Sequence, residues 1–218
     1  RNEISDLHTT QLVPGTSTNF VTNAGEATYD GLELEGTILV AEGWTVQFSY
    51  GYLDGEFGEF MDYPIDRNPV TGQYFTNTAA GLIDTGSNRV APYAPEHTLN
   101  LNLDGELART EFGTLRMIVD YTFTSEMYVY AANESLDDPR AGGQYLASIG
   151  QIPDTPNLNA RLLLAEIPVG GSGEAEVSIY GRNLTDFDDR TPSIDFGGFV
   201  NANWPTPRTY GMAVSYRW

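Results

Sequence analysis

The sequence contains no cysteine, which excludes disulfide bonds, thiolate metal ligands and a thiol nucleophile. Long hydrophobic runs are missing as well, since the longest unbroken aliphatic stretches, such as residues 162–165, have only four residues. A membrane-spanning helix needs about 20 apolar residues in succession. The sequence therefore predicts no transmembrane helix.

Basic side chains are scarce. Lys and Arg total 11 against 30 Asp and Glu, which gives a formal net charge of -19. Binding to nucleic acid needs a basic face, so this balance argues against a nucleic-acid partner. The chain is instead rich in tyrosine (13), glycine (23) and proline (12), a composition typical of a β-rich protein with many turns.

The C-terminal stretch PRTYGMAVSYRW, residues 207–218, alternates apolar with small or polar residues. A period of two places alternate side chains on opposite faces of a β-strand. The stretch is therefore predicted to be a strand with one apolar face. The apolar positions are Tyr210, Met212, Val214, Tyr216 and Trp218.

Seven earlier segments are interpreted in the same way. The first, residues 1–13, has the weakest alternation and is expected mainly because the later topology needs it. The others are residues 31–40, 44–52, 97–107, 115–123, 158–164 and 176–182. Their connections alternate strictly between long and short. The long ones are residues 14–27, 53–95, 125–155 and 184–206, and the short ones are residues 41–43, roughly 105–112, and 167–173.

A meander with all short connections at one end and all long connections at the other is the arrangement of outer-membrane barrels. We therefore predict an all-β, transmembrane, antiparallel up-and-down β-barrel architecture over residues 1–218, with the four long connections as extracellular loops. Aromatic residues are expected in two girdles at the membrane interfaces. They are Trp44, Tyr216 and Trp218 at the periplasmic end, and Tyr50, Tyr52, Tyr121, Phe123 and Tyr210 at the extracellular end.

Charge separates the two faces of the predicted strands. The central part of the apolar parity carries no charge, whereas the opposite parity carries many. These residues are Glu33, Glu35, Asp104, Arg116, Asp120, Arg161, Glu176, Arg182 and Arg217. Such charges would be costly in the core of a soluble sandwich but are tolerated in a water-filled lumen.

Five motifs resemble landmarks of TonB-dependent outer-membrane receptors, in the order expected for the C-terminal part of their barrel. They are NAGEATYDGLELEG (23–36), GWTVQFSYGYLDGEF (43–57), APEHTLNLNL (94–103), GRNLTD (181–186) and PRTYGMAVSYRW (207–218). The last motif is also similar to the C-terminal signal for barrel insertion, with Trp218 where Phe is usual.

The resemblance implies active import of a scarce nutrient, such as a siderophore, cobalamin or a carbohydrate, across the outer membrane of a Gram-negative bacterium. Receptors of this family have a 22-stranded barrel and an N-terminal plug, so we expect these eight strands to be part of a longer protein. The implied partners are membrane lipid, lipopolysaccharide, TonB through the missing N-terminal region, the barrel-assembly machinery, a small-molecule ligand and, in some members, a surface lipoprotein.

No residue pattern indicates catalysis, a cofactor or a metal site. His8 and His97 are far apart in sequence, and Asp186, Asp188 and Asp189 lack the glycine and glutamate of a calcium-binding loop. The candidate ligand contacts are loop aromatics, which can stack on sugars or planar chelates. They are Tyr63, Tyr74, Phe75, Tyr93, Tyr128, Tyr130, Tyr145, Phe196, Phe199 and Trp204.

Two other classes of protein stay open at this stage. One is a passive porin or a small structural barrel, because eight strands can close a barrel by themselves. The mixed charges of the polar parity form no basic ladder of the kind that would favour a porin. The other is a soluble carbohydrate-binding β-sandwich, which explains the alternation but not the asymmetry of the loops.

Overall fold

The computed structural model describes residues 1–12, 19–23, 25–62, 65–72, 74–129, 150–195 and 200–218. An eight-stranded antiparallel sheet dominates it, and neighbours along the sheet are neighbours along the chain. This is the predicted up-and-down meander. Its strands are β1 (Asn2–Ser5), β2 (Glu26–Ala41), β3 (Trp44–Phe57), β4 (His97–Thr110), β5 (Gly113–Thr124), β6 (Thr155–Val169), β7 (Gly173–Arg182) and β8 (Thr209–Arg217).

The sheet is open. Strands β1 and β8 form its two edges and do not pair with each other in the described part of the chain. The alternative of a closed eight-stranded barrel is therefore wrong for this structure. β1 is also short, because it pairs only with the first residues of β2, from Asn2 opposite Tyr29 to Ser5 opposite Glu26.

The register keeps residues of the same character on the same face of the sheet. Leu34 lies opposite Tyr50, Tyr50 opposite Leu99, and Leu99 opposite Phe123. We call this side the apolar face. It also carries Leu32, Ile38, Phe48, Leu101, Leu103, Val119, Tyr121, Leu158, Leu162, Val177, Ile179, Tyr210, Met212, Val214 and Tyr216. The other side, with the predicted charges, is the polar face.

The apolar face is not covered by protein. Leu32 is 62% exposed, Ile179 59% and Met212 69%. Within the described residues no second sheet of similar size packs on either face. A soluble sandwich would bury these side chains between two sheets, so that alternative is wrong. The main buried apolar cluster lies instead where β2 and β3 meet the loop after β3.

The strands are longer than the sequence predicts at several ends. β3 extends to Phe57, and β4 continues to Thr110, so that the turns are only residues 42–43, 111–112 and 170–172. A β-bulge between Glu106 and Ala108 explains the error at β4. One extra residue breaks the period of two before the strand ends, so the alternation alone places the turn too early.

The first predicted strand, residues 1–13, is divided in two. Asp6 has a left-handed backbone (φ 57°) that separates β1 from a second strand, His8–Leu12. The second strand pairs with Asn19–Asn23, inside the first of the long connections. The part of the prediction that includes Val13 lies outside the described residues.

The other long connections also contain short antiparallel strand pairs, which the sequence does not predict. Pairing satisfies the backbone hydrogen-bonding groups of these segments. The segments are too short for their side chains to show the period of two that would predict a strand. The hairpins pair Met61–Asp62 with Ile83–Asp84, Ile65–Arg67 with Tyr74–Thr76, Met127–Tyr128 with Gln151–Ile152, and Thr191–Asp195 with Val200–Asn203. Two 3-10 turns, Thr78–Ala80 and Gly86–Asn88, complete the second connection. None of the helices in the described ranges has the length and apolar character needed to span a membrane.

Candidate functional site

A small buried apolar cluster joins the loop after β3 to the ends of β2 and β3. Phe60 is completely buried and meets Phe57 edge to face, with ring centroids 5.4 Å apart. Ala27 and Ala91 complete the cluster. The Arg89 guanidinium lies over the Phe60 ring, 4.1 Å from its centroid. Such a cation–π contact is favourable when the cation is shielded from water, and Arg89 is itself buried.

Hydrogen bonds fasten the two ends of this loop to each other. One carboxylate oxygen of Asp84 accepts from the backbone N–H of Phe60 (3.0 Å) and of Gly86 (2.9 Å). These donors, Phe60 first, hold the pKa of Asp84 below its usual value. Thr85 donates to the Phe60 carbonyl through its N–H (2.8 Å) and hydroxyl (3.1 Å), and Arg89 Nε donates to Thr85 Oγ1 (3.0 Å). Phe60 is therefore fixed to the segment 84–89.

A backbone hydrogen bond joins the loop after β3 to the loop after β5. The Tyr93 N–H donates to the Tyr128 carbonyl at 2.8 Å. Tyr93 has a left-handed backbone (φ 54°), which is unusual for a bulky residue and is kept only when the surroundings enforce it. Its side chain is 63% exposed. Tyr128 is half-buried, and burial, with a smaller effect of Glu126, raises the pKa of its phenol.

Asn183 closes the last loop. It is buried, with a left-handed backbone (φ 50°) directly after β7. Its Nδ2 donates to the carbonyls of Phe187 (2.9 Å) and Thr206 (3.0 Å), and its Oδ1 accepts from the Phe187 N–H (3.0 Å). An ion pair between Asp186 and Arg208 (3.0 Å) joins the same two segments. Both ends of the loop that carries Trp204, 71% exposed, are thus fixed.

The predicted ligand contacts are only partly described. Tyr93 and Tyr128 are brought together by their backbone hydrogen bond, and Trp204 is exposed on the last loop. Tyr74 and Phe75 lie in the short strand Tyr74–Thr76. The other five, Tyr63, Tyr130, Tyr145, Phe196 and Phe199, lie outside the described residues. All ten therefore stay predictions.

The predicted girdle residues lie on the apolar face. Trp44 follows the turn at residues 42–43, and Tyr52 lies eight residues further along β3, about 26 Å at the rise of a strand. The sequence predicts Tyr52 near the strand end, but β3 continues to Phe57. The extra residues extend the strand beyond the aromatic position. At the C-terminus the Tyr216 and Trp218 rings are 5.9 Å apart.

His97 takes part in this aromatic group. Its Nδ1 forms a 3.0 Å hydrogen bond with the Tyr50 hydroxyl, and the Tyr52 ring lies 5.5 Å from the imidazole. The described residues contain no group of three or more His, Asp or Glu side chains that is placed to hold a metal ion. These contacts give His97 a structural role at the start of β4.

The polar face has two zones. Towards the short turns, ion pairs cross between strands: Arg116 with Asp104 (2.7 and 2.8 Å) and Arg161 with Glu176 (2.6 Å). Nearer the long loops, the polar face carries hydrogen-bonded amide side chains instead of ion pairs. Asn102 donates to Asp120 (2.6 Å), and Asn100 donates to Ser49 (3.1 Å). An open groove of about 560 Å³ lies over this second zone.

Sequence reasoning missed Asp84, Arg89 and Asn183. Asp84 and Arg89 are in a stretch without periodicity, and their roles depend on Phe60, more than 20 residues away. Asn183 belongs to the motif GRNLTD, one of the five motifs that carry the family resemblance. An asparagine directly after a strand is a typical residue for a left-handed turn position, and this signal was available.

The fold defines the class of protein. One open antiparallel sheet has an exposed apolar face, a polar face with ion pairs between neighbouring strands, and long connections at one end only. Such a sheet is a section of the wall of a transmembrane β-barrel. A family model described as "TonB dependent receptor-like, beta-barrel" matches residues 1–162. The chain belongs to this family, whose members are outer-membrane receptors of Gram-negative bacteria.

Two solved structures have the same fold. One is the ferric yersiniabactin uptake receptor FyuA from Yersinia pestis, 19% identical, with a TM-score of 0.56 over 89% of this chain and 24% of that one. The other is BauA, the ferric preacinetobactin receptor from Acinetobacter baumannii, 16% identical, with a TM-score of 0.57 over 96% of this chain and 25% of that one. The chain thus spans about a quarter of each receptor. A search of curated proteins finds no significant match.

Proposed function

We propose that this chain is the C-terminal part of the barrel of a TonB-dependent receptor that imports a scarce nutrient across the outer membrane. Family membership and the exposed apolar face carry the proposal. Leaving Leu32, Ile179 and Met212 in water costs free energy roughly in proportion to their apolar area, at about 25 cal/mol per Å². Contact with lipid removes this cost, so the apolar face meets the bilayer and the polar face lines the lumen.

The long connections are then the extracellular loops, near residues 14–27, 53–95, 125–155 and 184–206. Lipopolysaccharide is the lipid around them, and TonB acts through a region outside these 218 residues. The barrel-assembly machinery would recognise the C-terminal strand, whose Tyr210, Met212 and Val214 are all exposed on the apolar face. A surface lipoprotein over the loops would be a further partner. Transport needs no covalent chemistry, so we infer a receptor and not an enzyme.

Ligand binding is assigned to the aromatic residues of the loops, with Tyr93, Tyr128 and Trp204 as the contacts that the described structure supports. Tyr93 is exposed on a strained backbone that a hydrogen bond holds in place, so its ring needs little further ordering. The net charge of the chain restricts the class of ligand that it would bind. A net charge of -19 disfavours an anionic ligand. We therefore propose a neutral or cationic nutrient.

The proposal is tested by uptake in the source bacterium. Deletion of the gene should abolish energised uptake of one nutrient under limitation, and the wild-type gene should restore it. Tyr93→Ala should weaken binding of that nutrient about tenfold, since loss of one aromatic contact costs on the order of 1.4 kcal/mol. The matched control is Tyr121→Ala, which changes a tyrosine of the apolar face outside the loops that pairs with no glycine.

Two outcomes would contradict the proposal. Uptake that continues after deletion of TonB or after collapse of the proton gradient would indicate a passive porin. An intact mass of the membrane-extracted protein close to the 23.9 kDa of this chain would leave no room for a plug or for further strands. A mass several times larger is expected.

A further inference from the structure

The loop after β3 returns to β4 through residues 89–96, a segment that we call the strap. Its first half is anchored to the base of the loop, because Val90 forms a β-bridge with Glu56 and Ala91 is buried in the apolar cluster. Its end is anchored to β3, because the carbonyl of its last residue accepts a hydrogen bond from a backbone N–H of that strand (2.9 Å). The strap is therefore fixed at both ends, with Tyr93 between the two anchors.

We propose that the strap couples the long loops after β3 and β5, so that the two loops open and close as one unit. The joint between them is the 2.8 Å hydrogen bond from the Tyr93 N–H to the Tyr128 carbonyl. The coupling goes beyond the proposed function, because it belongs to the ligand-free receptor and does not depend on which residues contact a ligand. A ligand held by one of these loops would also act on the other.

Tyr128 is the part of the joint that belongs to the loop after β5. It lies opposite Gln151 in a short strand pair, and Met127 lies opposite Ile152. Val129 and Ile152 are both buried, and the Val129 N–H donates to a backbone carbonyl of the returning segment (2.9 Å). These contacts join the outgoing and returning ends of this loop, so a displacement of Tyr128 disturbs both ends.

The backbone of Tyr93 gives the joint two states. Its φ of 54° lies in the left-handed region, which a bulky residue keeps only where its surroundings enforce it. The hydrogen bond to Tyr128 is part of these surroundings. When this bond opens, Tyr93 can relax to a negative φ, which changes the path of the strap between its anchors. One state is bonded and strained and the other is open and relaxed, and both loops bias the equilibrium between them.

Amide hydrogen exchange of the ligand-free, full-length receptor in detergent tests the coupling, with peptides analysed by mass spectrometry. Ala91→Asp places a carboxylate in the buried cluster and should loosen the strap, because burial of an unpaired charge is costly. If the two loops open as one unit, exchange should accelerate roughly tenfold in residues 89–96 and equally in residues 125–129 and 150–154. Ala79→Asp is the matched control, since Ala79 is an exposed alanine of the same loop, and it should leave all three segments unchanged.

Tyr93→Pro is a second variant, at an exposed position where the barrel should still assemble. Proline removes the N–H of the joint and cannot adopt a positive φ. This variant should therefore accelerate exchange in the loop after β5 as well as in the strap. Leu82→Pro is its control, because Leu82 is exposed in the same loop outside the strap. Heat-modifiable gel mobility shows whether each variant forms a folded barrel.

Two outcomes would overturn the proposal: acceleration that is confined to the loop after β3, or an equal effect of each variant and its control. The measurement needs neither a ligand nor transport, so it is independent of the uptake experiment. Coupled exchange in a receptor whose gene deletion leaves nutrient uptake unchanged would keep the coupling and remove the proposed function. Uncoupled exchange in a receptor that is required for uptake would remove the coupling alone.

Discussion

Asn183 closes a long loop through the polar atoms of one side chain. Its amide group binds Phe187 and Thr206, which are near the two ends of the last loop. Because Asn183 is buried, its removal would leave these backbone groups without a partner and without free access to water. An unsatisfied buried group costs about 1 to 3 kcal/mol.

We therefore expect Asn183→Ala to destabilise the last loop by roughly 1 to 3 kcal/mol, which limited proteolysis of the receptor would detect as faster cleavage within residues 184–206. Asn203→Ala is the control, because Asn203 is an exposed asparagine of the same loop. Equal protease sensitivity of the two variants would show that the Asn183 hydrogen bonds do not fasten the loop.

Asp84 makes the base of the loop after β3 sensitive to pH. The N–H groups of Phe60 and Gly86 favour its ionised form and lower its pKa in the folded protein. A carboxyl group with a lowered pKa contributes stability that is fully present above its usual pKa of about 3.9. This stability is lost as the pH falls through the lower, folded-state pKa.

Pepsin, which is active in acid, should therefore cleave within residues 57–90 increasingly as the pH falls below about 4. Asp84→Asn cannot ionise, so this variant should be cleaved at higher pH as well and should lose the pH dependence. Asp189→Asn, an exposed carboxylate of another loop, is the matched control. A wild-type and a D84N protein with the same pH profile would contradict this role of Asp84.

At the scale of the strands, glycine and aromatic residues are paired across the sheet. Five register pairs join a glycine to an aromatic residue: Gly36 with Phe48, Gly55 with Tyr29, Gly105 with Trp44, Gly181 with Tyr210, and Gly211 with Tyr180. A Cβ atom on Gly105 would collide with the Trp44 ring, and one on Gly36 would be 3.0 Å from the Phe48 ring. The rings cover the backbone that the glycines leave open.

Gly105→Ala should accordingly displace the Trp44 ring and destabilise the barrel by about 1 to 3 kcal/mol, the usual cost of overpacking. Urea unfolding of the receptor in lipid vesicles measures this change. A double-mutant cycle gives the control, since Trp44→Ala removes the ring that Gly105→Ala would strike. If the cost of Gly105→Ala is the same in the Trp44→Ala background, the collision does not explain it.

The sequence predicts strands well where side chains alternate without interruption. The alternation of Leu99, Leu101 and Leu103 places β4 correctly, and the asymmetry of the connections predicts the meander. The prediction fails where the period breaks, at the bulge after Glu106, and where pairing is too short to show a period, as in Met61–Asp62. Cross-strand contacts such as that of Gly105 with Trp44 depend on the register between two strands. The side-chain pattern of one strand does not determine this register.

The candidate site is less predictable than the strands for a physical reason. The exposure of Tyr93 depends on a backbone hydrogen bond to Tyr128, and the position of Arg89 depends on the ring of Phe60. Both contacts join segments that are distant in sequence, and neither segment is periodic. Composition suggests loop aromatics as candidate ligand contacts, but it cannot select the residues that the fold holds in place.

At the scale of the whole molecule, the two edges of the sheet distinguish a section of a large barrel from a small closed one. β8 pairs with β7 along its whole length, from Glu174 opposite Arg217 to Arg182 opposite Thr209. β1 has one partner, β2. In a closed eight-stranded barrel β1 would also pair with β8, and Ile4 would come close to Thr209 at the ends near the long loops.

Cysteine pairs test this arrangement in the full-length receptor, once any cysteine outside these 218 residues, which contain none, is replaced by serine. Arg182→Cys with Thr209→Cys should form a disulfide under mild oxidation, since directly paired residues have Cα atoms about 4.5 to 5.5 Å apart. Ile4→Cys with Thr209→Cys should stay reduced, because further strands separate β1 from β8. Gel mobility before and after reduction measures both. A disulfide between positions 4 and 209 would mean that eight strands close the barrel, and the transporter proposal would then fail.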